Sequence, residues 1–374
     1  MAMGSISDLV RWAVVVTMAG PLALVGTPAP LATNSQLPPG LSTDQLAGQR
    51  VIYSYPGATP PQTLLDRIRQ GRVGGVIFFG ENITSTAQIA GVIDQLRQAA
   101  AQSPVHQPLL LMTDQEGGLV RRLPGAPTMS EKQIGQAADA QQQAANAGTG
   151  AGQNLAGVGM NFNLAPVLDV YRTPGDFADS AQRSYSMDPA KVNTLGQAFV
   201  TAQQQTGVAA TVKHFPGLGS ATTKQNTDEQ PVTLTASANT LRTVDEAAYP
   251  GSIAAGVKSV MLSWAIYPAL DPQLPAGLSP TIINQELRGR LGFKGVTITD
   301  ALEAGSLKAF GTAAQRAVTA AGAGMDLILC SGRDVSQGDQ AAAAISAAVT
   351  ANKLDHSAFE ASVDRVLAMR GTLR

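Results

Sequence analysis

The 374-residue chain has one cysteine and three histidines, and only 14% of its residues are charged. Because Cys330 stands alone, an internal disulfide framework and any metal site built from several cysteines are excluded. His106, His214 and His356 are too far apart for a short metal-binding motif, so we expect no structural zinc and no cofactor of this kind. The net charge of -1 gives no field that would attract nucleic acid or an anionic membrane surface.

Low charge combined with 38 glycines and 22 prolines is a composition that disordered chains also show. Regularly spaced runs of valine, isoleucine, leucine and phenylalanine contradict that interpretation. With 44% hydrophobic residues, the chain can bury a large core, enough for one large α/β barrel or two ordinary domains. We therefore predict a globular protein.

The N-terminal segment has the pattern of a secretory signal. An uncharged apolar stretch over residues 12–25 follows Arg11, which is the arrangement of an n-region and an h-region. A glycine and a proline interrupt this stretch, and it is shorter than the roughly 20 apolar residues that span a bilayer, so we expect no stable membrane insertion. No cysteine closely follows it, which excludes lipoprotein-type anchoring. We predict a signal peptide over residues 1–32, a polar linker over 33–40, and an exported domain over 41–374.

Eight short apolar runs of strand length follow the linker. They are Val51 to Tyr55, Gly75 to Phe79, Leu109 to Thr113, Asn161 to Leu164, Ala210 to Lys213, Val260 to Ser263, Val296 to Thr299 and Leu327 to Cys330. Helical patterns separate these runs. One apolar stripe extends from Ile89 to Leu96 on a helix that begins near Ser85. Ser279 followed by Pro280 marks another helix start.

Runs that are apolar on both faces and separated by helices predict a parallel sheet. Eight such units over roughly 330 residues fit a single (β/α)8 TIM-type barrel better than an open sheet. The segment YPGATPP after the first run lacks the G-x-G-x-x-G turn of a doubly wound nucleotide-binding fold. We therefore expect no dinucleotide cofactor.

Polar residues cluster at the ends of several runs. LLLMTDQEGG contains Asp114 and Glu116, NFNLAPVLDV reaches Asp169, ATVKHF contains Lys213 and His214, and GVTITD ends in Asp300. An aspartate after a strand is often only a helix N-cap, but lysine and histidine do not accept a helix N–H. The C-terminal ends of barrel strands form the active site. Carboxylates and cations without metal ligands suit a neutral, polyhydroxylated substrate, and a carboxylate can attack an oxocarbenium-like carbon, so we predict a glycosidase.

Several segments resemble glycoside hydrolase family 3, in particular its single-domain branch of β-N-acetylhexosaminidases. The similar stretches are GVIFFGENI (75–83), DQEGGLVRRL (114–123), NFNLAPVLDV (161–170), RSYSMDP (183–189), KHFPGLG (213–219), YPALDP (267–272) and LGFKGVTITDAL (291–302). They occur in the family's order and cover nearly all of the chain beyond Leu41. KHFPG and the GFxGVxxTD segment are together specific for this family.

The resemblance implies a TIM-type barrel and a retaining double displacement in which Asp300 attacks the anomeric carbon. It also implies that five residues hold the hydroxyls of the terminal sugar: Asp114, Arg122, Arg183, Lys213 and His214. A lysine and an arginine beside Asp300 would keep its carboxylate ionised, as a nucleophile must be. The alternatives are a solvated ion pair for Arg183 and a core imidazole for His214.

The sequence departs from the family pattern at the general acid/base. Members of this branch commonly carry an Asp-Ser-His segment soon after KHFPGHG, and its histidine is the acid/base. Here residues 224–226 read Lys-Gln-Asn, and Leu218 replaces the second histidine of the motif. Asp228 and Glu229 follow on the same loop, which we expect to be mobile. Either carboxyl group could serve a retaining mechanism, with Asp228 favoured, or both are solvated loop charges.

The leading hypothesis is an exported, exo-acting β-N-acetylhexosaminidase that releases terminal N-acetylglucosamine from chitin oligomers or peptidoglycan fragments. A β-glucosidase or β-xylosidase on the same barrel and a glycoside phosphorylase are alternatives. A further alternative is a non-catalytic sugar-binding protein that has lost its proton donor. Asp300 argues against this last reading, because a binding protein needs hydrogen-bond donors more than a bare nucleophile. Low surface charge favours neither a monomer nor an oligomer.

Overall fold

Eight parallel strands form the centre of the computed structural model, which describes residue 37 and residues 39–373. The strands are β1 (Val51–Tyr53), β2 (Gly75–Ile77), β3 (Leu110–Thr113), β4 (Phe162–Asn163), β5 (Ala209–Phe215), β6 (Ser259–Leu262), β7 (Val296–Thr299) and β8 (Ile328–Leu329). They pair in the order β7-β6-β5-β4-β3-β2-β1-β8. A parallel bridge between Ile298 and Leu327 joins β7 to β8 and closes the barrel. The predicted (β/α)8 barrel is therefore confirmed.

Helices alternate with these strands along the chain. The α-helices are Thr43–Gly48, Gln62–Arg69, Thr86–Ala100, Glu131–Gln136, Ala140–Val158, Phe177–Ser180, Pro189–Gln205, Ala238–Thr240, Pro250–Ala254, Ala313–Ala323, Val335–Thr350 and His356–Arg370. Leu241–Asp245 and Thr281–Arg290 are wound as π-helices. Short 3₁₀ turns cover Gly80–Asn82, Glu246–Ala248, Ala276–Leu278 and Gly305–Phe310. Among the described residues, no helix is both long enough and apolar enough to span a membrane. The predicted signal peptide, residues 1–32, lies outside the described part of the chain, as does most of the linker.

The barrel interior is filled by side chains from all eight strands. Ile52, Ile77, Leu110, Met112, Phe162, Ala209, Met261, Ile298 and Leu329 belong to one buried cluster. Val366 and Met369 of the last helix join this cluster. A closed barrel needs its strands to approach closely, and Gly75 allows this: a Cβ there would lie 2.4 Å from the carbonyl oxygen of Leu110 on β3. The interior is therefore a packed core, which leaves the strand ends for function.

The predicted helix starts agree with the capping contacts. The hydroxyl of Ser85 accepts a hydrogen bond from Gln88 N at the start of Thr86–Ala100. The predicted apolar stripe on this helix is buried. The hydroxyl of Ser279 accepts the N–H of Ile282, and Pro280 is helical ahead of the π-helix Thr281–Arg290, as predicted. Short-range hydrogen bonding therefore determines both starts.

Candidate active site

A small cavity of about 190 Å³ lies at the C-terminal ends of the barrel strands. It is lined by seven of the eight residues predicted for the site, namely Asp114, Arg122, Arg183, Lys213, His214, Asp228 and Asp300. Glu229 is not part of its wall. Residues at or after the ends of four strands, β3, β4, β5 and β7, are thus brought together, as the position of active sites in barrels predicts.

Lys213 forms the centre of a buried cluster of charges. Its Nζ lies 2.8 Å from Asp114 Oδ1 and 2.8 Å from Glu116 Oε1. Arg183 donates from Nε and Nη2 to the two oxygens of Glu116, at 2.8 and 2.7 Å. Burial disfavours the charge of Lys213, but Asp114 and Glu116 outweigh it and raise the pKa of the lysine. Two cations and two carboxylates therefore neutralise each other, and the lysine keeps a third N–H donor.

Glu116 is the most important residue that sequence reasoning noted but left without a role. Its side chain is buried, and burial would raise its pKa, but Arg183 and then Lys213 hold the pKa of Glu116 well below its ordinary value. Residues two apart on an extended segment point to the same side. The spacing of Asp114 and Glu116 was therefore the signal that could have found it.

A second buried carboxyl group, Glu131, lies behind this cluster. Its Oε1 accepts the backbone N–H of Val167 at 2.8 Å. Burial, followed by the charge of Glu116, raises the pKa of Glu131 well above its ordinary value. This group could not be recognised from the sequence, because Glu131 stands in the first turn of a helix capped by Ser130, where an exposed acidic residue is common.

His214 is fixed by Asp169. Its Nδ1 lies 2.7 Å from Asp169 Oδ2, and the other carboxylate oxygen accepts the backbone N–H of Leu218 at 2.7 Å. The residue is 6% exposed and forms part of the cavity wall. It is therefore an oriented imidazole that borders the cavity.

Asp300 directly follows β7 and lines the cavity. Its Oδ1 accepts the N–H of Ala301 at 2.7 Å. The next residues form an irregular turn before the 3₁₀ segment Gly305–Phe310, so Asp300 does not cap an α-helix.

The electrostatic surroundings of Asp300 differ from the prediction. Burial first, and the charge of Asp228 second, raise its pKa, whereas His214 and Lys213 act in the opposite direction without reversing the shift. Of the two cations expected beside Asp300, only Lys213 is among the groups that lower its pKa. Lys213 does favour the ionised form, but Arg183 is bound to Glu116.

The loop that carries Asp228 is attached to the loop after β7. The carbonyl oxygens of Asp228 and Thr227 accept the N–H groups of Gly305 and Ser306, at 2.7 and 3.1 Å. Asn226 Oδ1 accepts the N–H of Asp228 at 3.0 Å. These bonds tie the loop to the segment that follows Asp300.

The two acid/base candidates on this loop have different positions. Asp228 is exposed but lines the cavity, and its charge acts on Asp300. Glu229 is also exposed, but it accepts a hydrogen bond from Asn226 Nδ2 at 3.0 Å and lies outside the cavity wall. The preference for Asp228 over Glu229 is therefore consistent with the geometry.

Arg122 stands at the edge of the cavity. Its side chain is 36% exposed, and its Nη2 lies 3.9 Å from Asp114 Oδ2. It follows the small hairpin of Gln115–Gly117 and Val120–Arg121 that extends from β3. The hairpin thus places Arg122 in the wall of the cavity.

The closed parallel barrel and a cavity walled by carboxylates, a lysine, two arginines and a histidine define a barrel enzyme suited to sugars. The sequence profile of the Glycosyl hydrolase family 3 N terminal domain matches residues 43–369. A protein of Arthroderma benhamiae named as a secreted glycosyl hydrolase is 46% identical over 329 residues, which are 87% of this chain and 93% of that protein. The chain belongs to glycosyl hydrolase family 3, and it is a glycoside hydrolase.

Two solved structures show the same fold. A glycoside hydrolase family 3 β-N-acetylglucosaminidase from Paenibacillus matches with a TM-score of 0.83 and 35% identity, covering 89% of this chain and 62% of that longer one. A β-N-acetylhexosaminidase from Beutenbergia cavernae matches with a TM-score of 0.80 and 34% identity, covering 88% of this chain and 99% of that one.

Proposed function

We propose that the protein is an exo-acting, retaining β-N-acetylhexosaminidase that releases terminal N-acetylglucosamine from glycans such as chitin oligomers or peptidoglycan fragments. The observation that carries this proposal is the presence of Asp300 and Asp228 in one small cavity opposite the buried Lys213 cluster. The similarity to the Paenibacillus and Beutenbergia enzymes supports the choice of sugar.

In the proposed first step, a carboxylate oxygen of Asp300 bonds to the anomeric carbon as the glycosidic bond breaks. Asp228 donates its proton to the leaving oxygen. In the second step, Asp228 takes a proton from water, whose oxygen bonds to the anomeric carbon while the ester with Asp300 breaks. Both carboxyl groups then return to their starting states.

The mutual effect of the two carboxyl groups suits this division of roles. The charge of Asp228 raises the pKa of Asp300. When Asp228 carries the proton, this repulsion is absent, and Lys213 and His214 favour an ionised Asp300. An ionised Asp300 beside a protonated Asp228 is the state that the first step requires.

The hydroxyls of the sugar are bound, in this proposal, by the buried Lys213 cluster and by residues at the edge of the cavity. Lys213 and Arg183 donate, and Asp114 accepts, from side chains that Glu116 and its partners already hold in place. His214 and Arg122 complete the set from two other sides of the cavity. Such a prearranged set of donors and acceptors recognises vicinal hydroxyls without the cost of ordering flexible side chains.

The nucleophile is tested by trapping with a 5-fluoro glycosyl fluoride of N-acetylglucosamine and mapping the labelled peptide. We expect the label on Asp300. Asp300→Asn should lower turnover by about 10⁴-fold or more, because it removes the group that forms the covalent intermediate. Asp94→Asn, at an exposed helix position, is the matched control. A label on another residue would overturn the assignment.

The acid/base is tested with aryl N-acetylglucosaminides of decreasing leaving-group acidity. Asp228→Asn should lower kcat by about 10²- to 10⁴-fold for poor leaving groups and far less for a dinitrophenyl group. Glu229→Gln should have little effect on either substrate. The Asp169–His214 dyad is the competing proton donor, so a leaving-group dependence seen only in His214→Asn would contradict the role of Asp228.

The alternative functions make different predictions for the same enzyme preparation. A β-glucosidase or β-xylosidase would prefer the corresponding aryl glycoside over the N-acetylglucosaminide. A glycoside phosphorylase would need added phosphate for turnover. A sugar-binding protein would bind N-acetylglucosamine without releasing the aryl group, and it would not be labelled by the fluorinated substrate.

We also propose that residues 1–32 are a cleaved export signal and that residues 41–374 form the catalytic domain. The apolar pattern of the segment supports this, as does a relative named as a secreted glycosyl hydrolase. Amino-terminal sequencing of the protein from the culture medium should give a chain that begins within residues 28–41. An intact amino terminus on a protein retained in the cell would contradict the proposal.

A further inference from the structure

A second cavity of about 410 Å³ opens directly beside the first. The walls of the two cavities share Phe79, Arg122, Asp228, Ala301 and Ser331. Because these residues border both spaces, a molecule longer than one sugar ring can extend from the inner cavity into the outer one.

Arg333 and Glu81 line the outer cavity but not the inner one. The guanidinium carbon of Arg333 lies 4.3 Å from the centroid of the Phe79 ring, a distance typical of cation–π stacking. Its Nε lies 3.2 Å from Glu81 Oε1. The Arg333 side chain is still 48% exposed, so these contacts fix the guanidinium plane and leave N–H donors for a ligand.

The backbone of Arg333 also holds this orientation. Its φ is 56°, in the left-handed region that residues other than glycine seldom adopt. The N–H of Arg333 donates to the hydroxyl of Ser54 at 2.8 Å, and that hydroxyl donates to the carbonyl of Cys330 at 2.9 Å. A rare conformation held by buried partners is a feature of functional positions. This conformation directs the side chain of Arg333, which follows β8, across the end of β1 to Phe79, which follows β2.

We propose that the outer cavity is the leaving-group subsite and that Arg333 is its specificity-determining residue for a second sugar. This inference rests on the proposed function. The proton donor must contact the oxygen between two sugar rings, and Asp228 borders both cavities. The outer wall combines the cations of Arg122 and Arg333 with the carboxylates of Glu81 and Glu303. Alternating donors and acceptors match a neutral, hydroxylated ring better than an ionic or apolar group.

The subsite has a direct chemical consequence. After the first sugar forms its ester with Asp300, an acceptor sugar in the outer cavity can take the place of water. The hydroxyl oxygen of the acceptor bonds to the anomeric carbon as the ester bond to Asp300 breaks, and Asp228 receives the hydroxyl proton. Turnover of the trapped intermediate should therefore be faster with an acceptor sugar than with water alone.

The experiment follows the full-length mature protein after trapping with the 5-fluoro glycosyl fluoride. Reactivation is measured in buffer and with increasing methyl β-N-acetylglucosaminide. The wild type should show a saturable acceleration. Arg333→Ala should raise the acceptor concentration for half-maximal acceleration by about tenfold. Arg333→Lys should raise this acceptor concentration nearly as much, because lysine keeps the charge but not the planar stacking group. For each variant, the reactivation rate with the acceptor is divided by the rate in buffer alone, so that any general loss of activity cancels.

Arg69→Ala is the matched control. Arg69 forms a comparable half-exposed ion pair with Asp66 at 2.7 Å, but it ends the helix that leads into β2 from the opposite side of the barrel. It should reproduce the wild-type acceleration. A wild type without acceleration, or an Arg333→Ala variant that matches it, would overturn the subsite while the trapped ester still supports the hydrolase. Failure to form the ester would overturn the proposed function and the subsite with it.

Discussion

The buried carboxyl group of Glu131 gives a prediction about the pH dependence of stability. Its folded-state pKa is raised, mainly by burial and then by Glu116. Above the unfolded-state pKa, at about 4.3, the unfolded chain releases a proton that the folded protein keeps. Its contribution to stability is therefore present in acid and is lost as the pH rises towards the folded-state pKa, at about 1.4 kcal/mol per pH unit. Glu131→Gln removes this dependence.

The substitution should preserve the local geometry. A glutamine oxygen can accept the N–H of Val167 as Glu131 Oε1 does at 2.8 Å. Glu131 Oε2 is buried without a hydrogen-bond partner, so the new amide group inherits the same environment. If the N–H groups of the new amide stay unpaired, the resulting loss of stability is independent of pH, so it changes the free energy of unfolding by the same amount at every pH.

The measurement is urea unfolding of both proteins at several pH values between 5 and 8. The free energy of unfolding of Glu131→Gln minus that of the wild type should rise as the pH increases above the unfolded-state pKa, and it should level off once the pH exceeds the folded-state pKa of Glu131. Glu360→Gln, at an exposed position of the last helix, measures the effect of the substitution itself. A difference that stays constant with pH would show that Glu131 is ionised in the folded protein and would refute the reasoning.

Two further substitutions test the cluster and the loop. Glu116→Gln should destabilise the protein by about 3 kcal/mol at pH 7. This loss of stability should become smaller below about pH 4.3, because the lowered pKa of Glu116 means that only its ionised form stabilises the fold. Urea unfolding of the variant and the wild type at pH 7 and in acid measures both values. In Gly305→Ala, the new Cβ would lie 2.0 Å from the carbonyl oxygen of Glu229 and 2.9 Å from that of Asp228, so the loop must move. We expect kcat to fall more for poor than for good leaving groups, whereas Gly91→Ala, where no atom lies within 4 Å of the new Cβ, should leave this ratio unchanged.

The architecture could be predicted because parallel strands buried on both faces appear as continuous apolar runs. All eight runs contain or overlap a barrel strand, although β4 and β8 are only two residues long. The strand-end rule also found Lys213, His214 and Asp300, since a chain that alternates strands and helices brings these ends to one face. Local pattern and topology were sufficient for these features.

The pairing and protonation of the site could not be predicted in the same way. Arg183 and Glu116 are 67 residues apart, so only the folded chain shows that the arginine binds this carboxylate and not Asp300. The raised pKa of Asp300 comes first from burial, which depends on the shape of the cavity. Glu131 looked like a helix-start residue, and its burial results from long-range packing near Val167.

The different exposure of the two catalytic candidates supports their proposed roles. A general acid/base must exchange a proton with leaving group and water in each cycle, and Asp228 is exposed on a wall shared by two cavities. A nucleophile must keep a fixed distance from the anomeric carbon, and Asp300 is held by the N–H of Ala301 at the end of a buried strand. The bonds from Gly305 to Asp228 and from Ser306 to Thr227 connect the two groups through one short segment. Their separation is therefore set by the backbone, which is what a retaining mechanism requires, because a change of a few ångströms would admit a water molecule between them and favour inversion.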